Sequence, residues 1–161
     1  MIRKAVLSLV VGLLLTLGSE ATAQDYRSAV GLRLGTSNGL SVKHFLSEQA
    51  ALEGILHTRW RGLLITGLYE FHQDLNDVPG LRWFYGGGAH IGTWNANRGN
   101  PRWGDRGEAH TVVGIDGIVG LDYKFDRAPV NLSLDYKPAF NISSDVGFWA
   151  DELALSLRFT F

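Results

Sequence analysis

Residues 153–161 read Leu153-Ala154-Leu155-Ser156-Leu157-Arg158-Phe159-Thr160-Phe161, and their strict period of two decides the fold. Successive side chains of a strand point to opposite faces, so Leu153, Leu155, Leu157, Phe159 and Phe161 form one purely apolar face. Glu152, Ala154, Ser156, Arg158 and Thr160 form the other. Moving toward the N-terminus, residues 130–137 set Val130, Leu132, Leu134 and Tyr136 against Asn131, Ser133, Asp135 and Lys137. Residues 111–125 set Val113, Ile115, Val119, Leu121, Tyr123 and Phe125 against Gly114, Asp116, Gly120, Asp122 and Lys124. The pattern recurs in residues 81–93, 63–72, 50–60 and 28–35, and more weakly in 40–46. No stretch in this region carries a 3.6-residue apolar stripe. The reading is all-β with eight strands in one domain.

The first residues obey a different rule. Arg3 and Lys4 precede an almost uninterrupted apolar run over residues 5–17, which Gly18 and Ser19 break before Ala21-Thr22-Ala23. Thirteen apolar residues fall short of the roughly 20 that a spanning helix needs. A positive start, a short apolar run and a small-x-small site describe a secretory signal peptide over residues 1–23, cleaved before Gln24. Residues 24–161 are then the exported domain. With 15 basic and 16 acidic side chains the chain has no bulk attraction for nucleic acid. The absence of cysteine excludes disulfides, thiolate metal sites and a lipidated N-terminal cysteine. Glycine, at 20 of 161 residues, is unusually frequent.

Eight antiparallel strands close either as a soluble barrel with an apolar interior or as a membrane barrel with an apolar exterior. Three features favour the second. The polar faces are rich in glycine, serine, threonine and isolated charges of both signs, which suits the cramped interior of an eight-stranded barrel. Alternating strand directions gather Tyr69, Phe71, Trp83, Tyr85, Tyr123, Phe125, Phe159 and Phe161 on one rim, the periplasmic rim in this reading, as an interfacial aromatic girdle. Short turns join strands at that rim, and the longest connection, residues 95–110, falls at the other. The pattern Leu155-x-Leu157-x-Phe159-x-Phe161 is similar to the C-terminal signal that the barrel assembly machinery reads in outer-membrane proteins. With the eight-strand layout, residues 24–161 resemble the small OmpA/OmpX-like outer-membrane β-barrel family. The resemblance is one of architecture and implies a monomeric, closed, up-and-down barrel among outer-membrane lipids, lipopolysaccharide included.

The inward set contains Arg33, Lys43, Glu53, His57, Arg59, Glu70, His72, Arg82, His90, Asp116, Asp122, Lys124, Asp135, Lys137, Glu152 and Arg158. Buried charges must be paired and hydrogen-bonded, so these residues are expected to plug the lumen with ion pairs. A two-residue turn at Arg61-Gly62 would set Glu53 opposite Glu70 and His57 opposite Thr66, and the two carboxylates would share a proton or be bridged by Arg82. Two facing carboxylates suggest acid/base chemistry, but a filled barrel offers substrate no route. A diffusive porin needs roughly 16–18 strands and is excluded by length. Eight-stranded barrels also include lipid A acyltransferases and deacylases, which leaves an enzyme built on His110 with Glu108, or on His90, as the alternative. A soluble periplasmic ligand-binding barrel is the other alternative. No His-x-Ser pair at a strand end and no Gly-x-Ser-x-Gly elbow supports catalysis, and no cofactor is expected. Arg98, Arg102, Trp103 and Arg106 make the long connection the candidate external surface, with arginines suited to lipopolysaccharide phosphates. Two residues strain the pattern: His44 would face lipid, so a bulge or the strand end is expected near His44-Phe45, and Pro138 should interrupt pairing near Lys137.

Overall fold

The computed structural model describes residues 26–59, 62–95, 109–143 and 147–161. Residues 1–23, expected to be a signal peptide, and the connection with Arg98, Arg102, Trp103 and Arg106 lie outside the described residues. Alternating β-branched and aromatic side chains with short turns give strand segments throughout: β1 (Ser28–Gly35), β2 (Asn38–Phe45), β3 (Ala50–Arg59), β4 (Gly62–Asp74), β5 (Leu81–Asn95), β6 (Ala109–Lys124), β7 (Val130–Tyr136), β8 (Ala139–Asn141), β9 (Gly147–Trp149) and β10 (Leu153–Thr160). The hydrogen-bonded order is β5-β4-β3-β2-β1-β10-β7-β6, and β6 pairs back onto β5, so the sheet closes. All pairings are antiparallel. β8 and β9 extend the staves of β7 and β10, so ten segments make an eight-stranded barrel.

Pro138 explains the interrupted stave. It has no amide hydrogen to give the ladder, and β7 stops at Tyr136. Against β6 the register is unchanged across the break, with Val119 facing Tyr136 and Asp116 facing Ala139. On the other side it slips by one residue, from Leu153 opposite Tyr136 to Trp149 opposite Ala139. Ala150 and Asp151 therefore oppose Pro138 together, as a bulge. At His44-Phe45 it is the strand end, and not a bulge, that occurs: β2 ends at Phe45. β2 alternates through to Phe45, His44 points outward with Nδ1 2.8 Å from Ser28 Oγ, and Phe45 turns inward. The Ser28 hydroxyl gives the imidazole a polar partner on the outer wall, so alternation need not break.

One rim holds the start of β1, the end of β10 and the turns 46–49, 75–80 and 125–129; it is called the terminal rim here. Gly80 adopts φ 82° in its turn, a backbone region in which a side chain would be strained, and its carbonyl accepts from the Lys124 amide at 2.9 Å. At the opposite, loop rim, β3 passes to β4 and β5 passes to β6.

Burial is inverted relative to a soluble domain. Among the described residues, Leu32 is 54% exposed, Ile65 56% and Leu157 54%, whereas Arg33 and Lys43 are 0% exposed and Arg158 1%. The outer wall is apolar around its whole circumference, and the charges are inside. The interior also has an apolar side, with Ile55, Leu68, Phe84 and Ile118 in one cluster and Leu64, Ala139 and Trp149 in another.

Candidate functional site

Because side chains alternate, each stave contributes every second residue to the lumen, and the register stacks them into two polar clusters. The first lies toward the terminal rim. Arg158 is pinned from three sides: Nε donates to Ser41 Oγ at 2.7 Å, Nη1 donates to Ser133 Oγ at 2.5 Å, and Nη2 donates to Glu53 Oε1. Lys43 Nζ lies 3.2 Å from Glu53 Oε2 and 2.7 Å from Glu70 Oε2, and 4.3 Å from the centre of the Phe84 ring. Asp122 accepts from Asn131 Nδ2, and at 3.3 Å from the Tyr26 hydroxyl. His72 fills the space between Glu70 and Asp122, at 3.7 and 3.9 Å, and stacks on Phe84 with ring centroids 5.0 Å apart. Tyr26 precedes β1 and closes this end. Burial first, and then the Asp122 carboxylate, raise its phenol well above the usual tyrosine range, so it stays a donor.

The second cluster lies toward the loop rim. Arg33 Nη1 bonds both oxygens of Asp135 at 2.7 Å, while Nη2 reaches Glu152 Oε1 at 3.1 Å. Glu152 also accepts from Ser37 Oγ at 2.9 Å and lies 3.2 Å from Lys137 Nζ. Lys137 continues to Asp116 at 2.7 Å. The other Asp116 oxygen meets His90 Nδ1 at 2.7 Å, and His90 Nε2 meets Asn141 Oδ1 at 2.9 Å. Every cation in both clusters has a carboxylate partner, the condition for holding charge away from water.

Several residues take other places than the sequence pattern assigns. The β3–β4 register pairs Arg59 with Gly62, so Glu53 faces Leu68, Glu70 faces Ala51 and His57 faces Leu64. The expected pairing of Glu53 with Glu70 and of His57 with Thr66 is off by two residues. Diagonal reach still brings His57 Nε2 to 3.2 Å from Thr66 Oγ1. Lys43, not Arg82, joins the two glutamates, because Arg82 sits at the terminal rim on Asp74 at 2.7 Å. Lys124 also leaves the network: it is near its strand end, and Nζ donates to the Phe125 and Ala128 carbonyls at 2.8 and 3.1 Å. The Arg59 and His110 side chains lie outside the described residues. The other inward candidates Arg33, Glu53, His57, Glu70, Asp116, Asp122, Asp135, Glu152 and Arg158 are buried in the lumen. Inward Lys43, His72, His90 and Lys137 complete the clusters; their shared parity with the charged faces was the signal.

The aromatic set lies on the terminal half of the outer wall. Phe71 and Tyr85 face each other across β4 and β5 with ring centroids 5.8 Å apart. Tyr69 adjoins Phe71 at 5.0 Å, Trp83 adjoins Tyr85 at 5.1 Å, Tyr123 adjoins Phe125 at 4.8 Å, and Phe159 adjoins Phe161 at 6.4 Å. Phe140 and Phe148 add exposed rings toward the loop rim.

His90, the described histidine of the enzyme alternative, is 3% exposed and committed to Asp116 and Asn141. Among the described residues no group of three or more His, Asp or Glu side chains is arranged to hold a metal ion. The class that fold and site define is a closed eight-stranded β-barrel with an apolar wall and a charge-paired core. No known family model matches the sequence, and no curated protein matches it.

Proposed function

We propose that this chain is a small, monomeric outer-membrane β-barrel of the OmpA/OmpX-like kind, non-enzymatic, serving envelope integrity or surface interaction. The observation that carries the reading is the inversion of burial. Arg33, Lys43, Glu53, Glu70, Asp135 and Arg158 are almost inaccessible, while aliphatic side chains of every stave are exposed. Soluble monomers rarely expose contiguous apolar patches above a few hundred Å², and a wall apolar on all sides matches a hydrocarbon solvent. A closed barrel is also one of the two architectures that satisfy every backbone group in lipid. The aromatic rings on the terminal half suit the headgroup level, with that rim periplasmic. Paired charges packed with Ile55, Leu68 and Phe84 support a closed lumen over a conducting one.

The test is fractionation of cells expressing the full chain, followed by electrophoresis with and without heating. Extraction only with detergent and heat-modifiable migration are expected; full release with the periplasmic contents would overturn the reading. Lipid A from a deletion strain is expected to be unchanged, and an altered acylation pattern would favour the enzyme alternative. Planar bilayers containing the protein are expected to show no steady conductance.

A further inference from the structure

His44 is the side chain of the outer wall that its apolar pattern does not explain. Of the histidines whose side chains are described it alone faces outward; His57, His72 and His90 are buried in the lumen. His44 stands next to the end of β2 and Ser28 at the start of β1, opposed across the β1–β2 ladder at the terminal rim. Their height is that of the aromatic rings. The Ser28 amide donates to the Phe161 carbonyl at 3.0 Å, and the Phe161 amide donates to the Ser28 carbonyl at 2.9 Å. On the other side His44 faces Leu52, and Leu52 faces Tyr69. Adjoining staves therefore present Phe161, Ser28, His44, Leu52 and Tyr69 in one outward row, a polar pair with an exposed aromatic ring at each end.

The contact within the pair sets its chemistry. His44 Nδ1 is 2.8 Å from Ser28 Oγ. When the hydroxyl donates to Nδ1, the hydrogen of a neutral imidazole is on Nε2, and a protonated imidazole carries one there as well. Nε2 is then a donor on an exposed side chain, and Leu52 beside it offers no acceptor. A donor on an apolar wall is matched by a ligand that brings an anionic acceptor together with hydrocarbon. We propose that the Ser28–His44 pair binds the phosphate group of a glycerophospholipid, with Nε2 donating to a phosphate oxygen. The acyl chains then run along Val42 and Leu40, which are exposed on the same strand toward the middle of the wall. The flanking rings suit the headgroup level. This inference rests on the membrane reading above and adds to it a ligand and its place.

The test uses the full barrel in detergent micelles, with the backbone amides of residues 28, 44 and 52 followed by NMR. Dihexanoyl phosphatidylglycerol is expected to shift them saturably. Dihexanoylglycerol, which lacks the phosphate, and inorganic phosphate, which lacks the chains, are expected to leave them in place. His44→Phe keeps a ring in the wall and is expected to abolish the response; His44→Arg, which restores a donor, is expected to keep it. Ser28→Ala is expected to weaken binding about fivefold, the worth of one hydrogen bond. Equal shifts with both lipids, or an undiminished response in His44→Phe, would overturn the lipid site, and an equal response to inorganic phosphate would reduce it to a free-anion site. Those results leave detergent extraction and heat-modifiable migration of the barrel untouched. Release of the full chain with the periplasmic contents would instead overturn the membrane reading, and the site with it. Heat-modifiable migration also checks that each variant closes, and the three additions to the wild-type barrel decide the question if one does not.

Discussion

The lumen has two unlike sides. β1, β2, β7 and β10 turn Arg33, Ser41, Lys43, Asn131, Ser133, Asp135, Ser156 and Arg158 inward, and their only buried inward hydrophobic residues are small or at a strand end: Ala29, Phe45 and Ala154. β3 to β6 mix charges with Ile55, Leu64, Leu68, Phe84, Val112 and Ile118. On the first side the interior is filled by groups that each need a specific partner; on the second it is filled largely by shape. Lys43 spans the two, held by Glu53 and Glu70 and resting on the Phe84 ring. The contrast is between an interior filled by charge pairs and one filled by apolar packing, which should differ in their sensitivity to substitution.

Substitution can break that contrast or sharpen it. The largest effect is expected where neither side survives. A Cβ at Gly88 would land on the Gly67 carbonyl of the adjoining strand, a backbone group that cannot step aside. Gly88→Val is therefore expected to prevent barrel closure, read as loss of heat-modifiable migration. Within a closed barrel, Glu53→Gln leaves Arg158 and part of Lys43 uncompensated in a dry interior. A loss of about 4 kcal/mol in denaturant unfolding is expected, in the range for breaking a buried pair. On the apolar side, Leu68→Ala opens a cavity among Ile55, Phe84 and Ile118, and about 3 kcal/mol is expected in the same assay. A result in which Leu68→Ala costs more than Glu53→Gln would make packing, and not charge pairing, the larger contribution to stability. The smallest effect is expected at the terminal rim, where Asp74 is 71% exposed beside Arg82. Asp74→Asn should change stability by less than about 0.5 kcal/mol, with the wild-type difference vanishing in high salt.

Much of this was legible because alternation is a local property. Leu153, Leu155, Leu157, Phe159 and Phe161 announce a shared face without any knowledge of neighbours, and Glu152 and Arg158 announce the opposite one; which face is outside took the aromatic rim and the small polar residues as well. Pro138 marked its own interruption for the same reason. The site was harder to read than the wall. The partner of Glu53 depends on which residues form the β3–β4 turn, and a shift of two residues keeps every side chain on its face while changing every neighbour. Alternation cannot detect such a shift. Inward Leu68, Phe84 and Ile118 were masked by the opposite problem, since an apolar residue on a polar face carries no mark of being core until the barrel closes over it. Arg82 and Lys124 have the right parity for the lumen, but their height along the strand puts them at the rim, where Asp74 holds Arg82 and the turn carbonyls hold Lys124.

The sequence by itself determined the strand class, the number of staves, which residues share a face, and that charges of both signs would need one another. These follow from the two-residue period of a strand and from the cost of an unpaired buried charge. Only the tertiary structure decided who pairs with whom. Lys43 between Glu53 and Glu70, Arg33 between Asp135 and Glu152, and the bulge facing Pro138 all rest on inter-strand register, and register is fixed when the last stave meets the first. Closure converts a list of inward residues into two clusters, because a ring of eight staves allows each strand only one height relative to its neighbours.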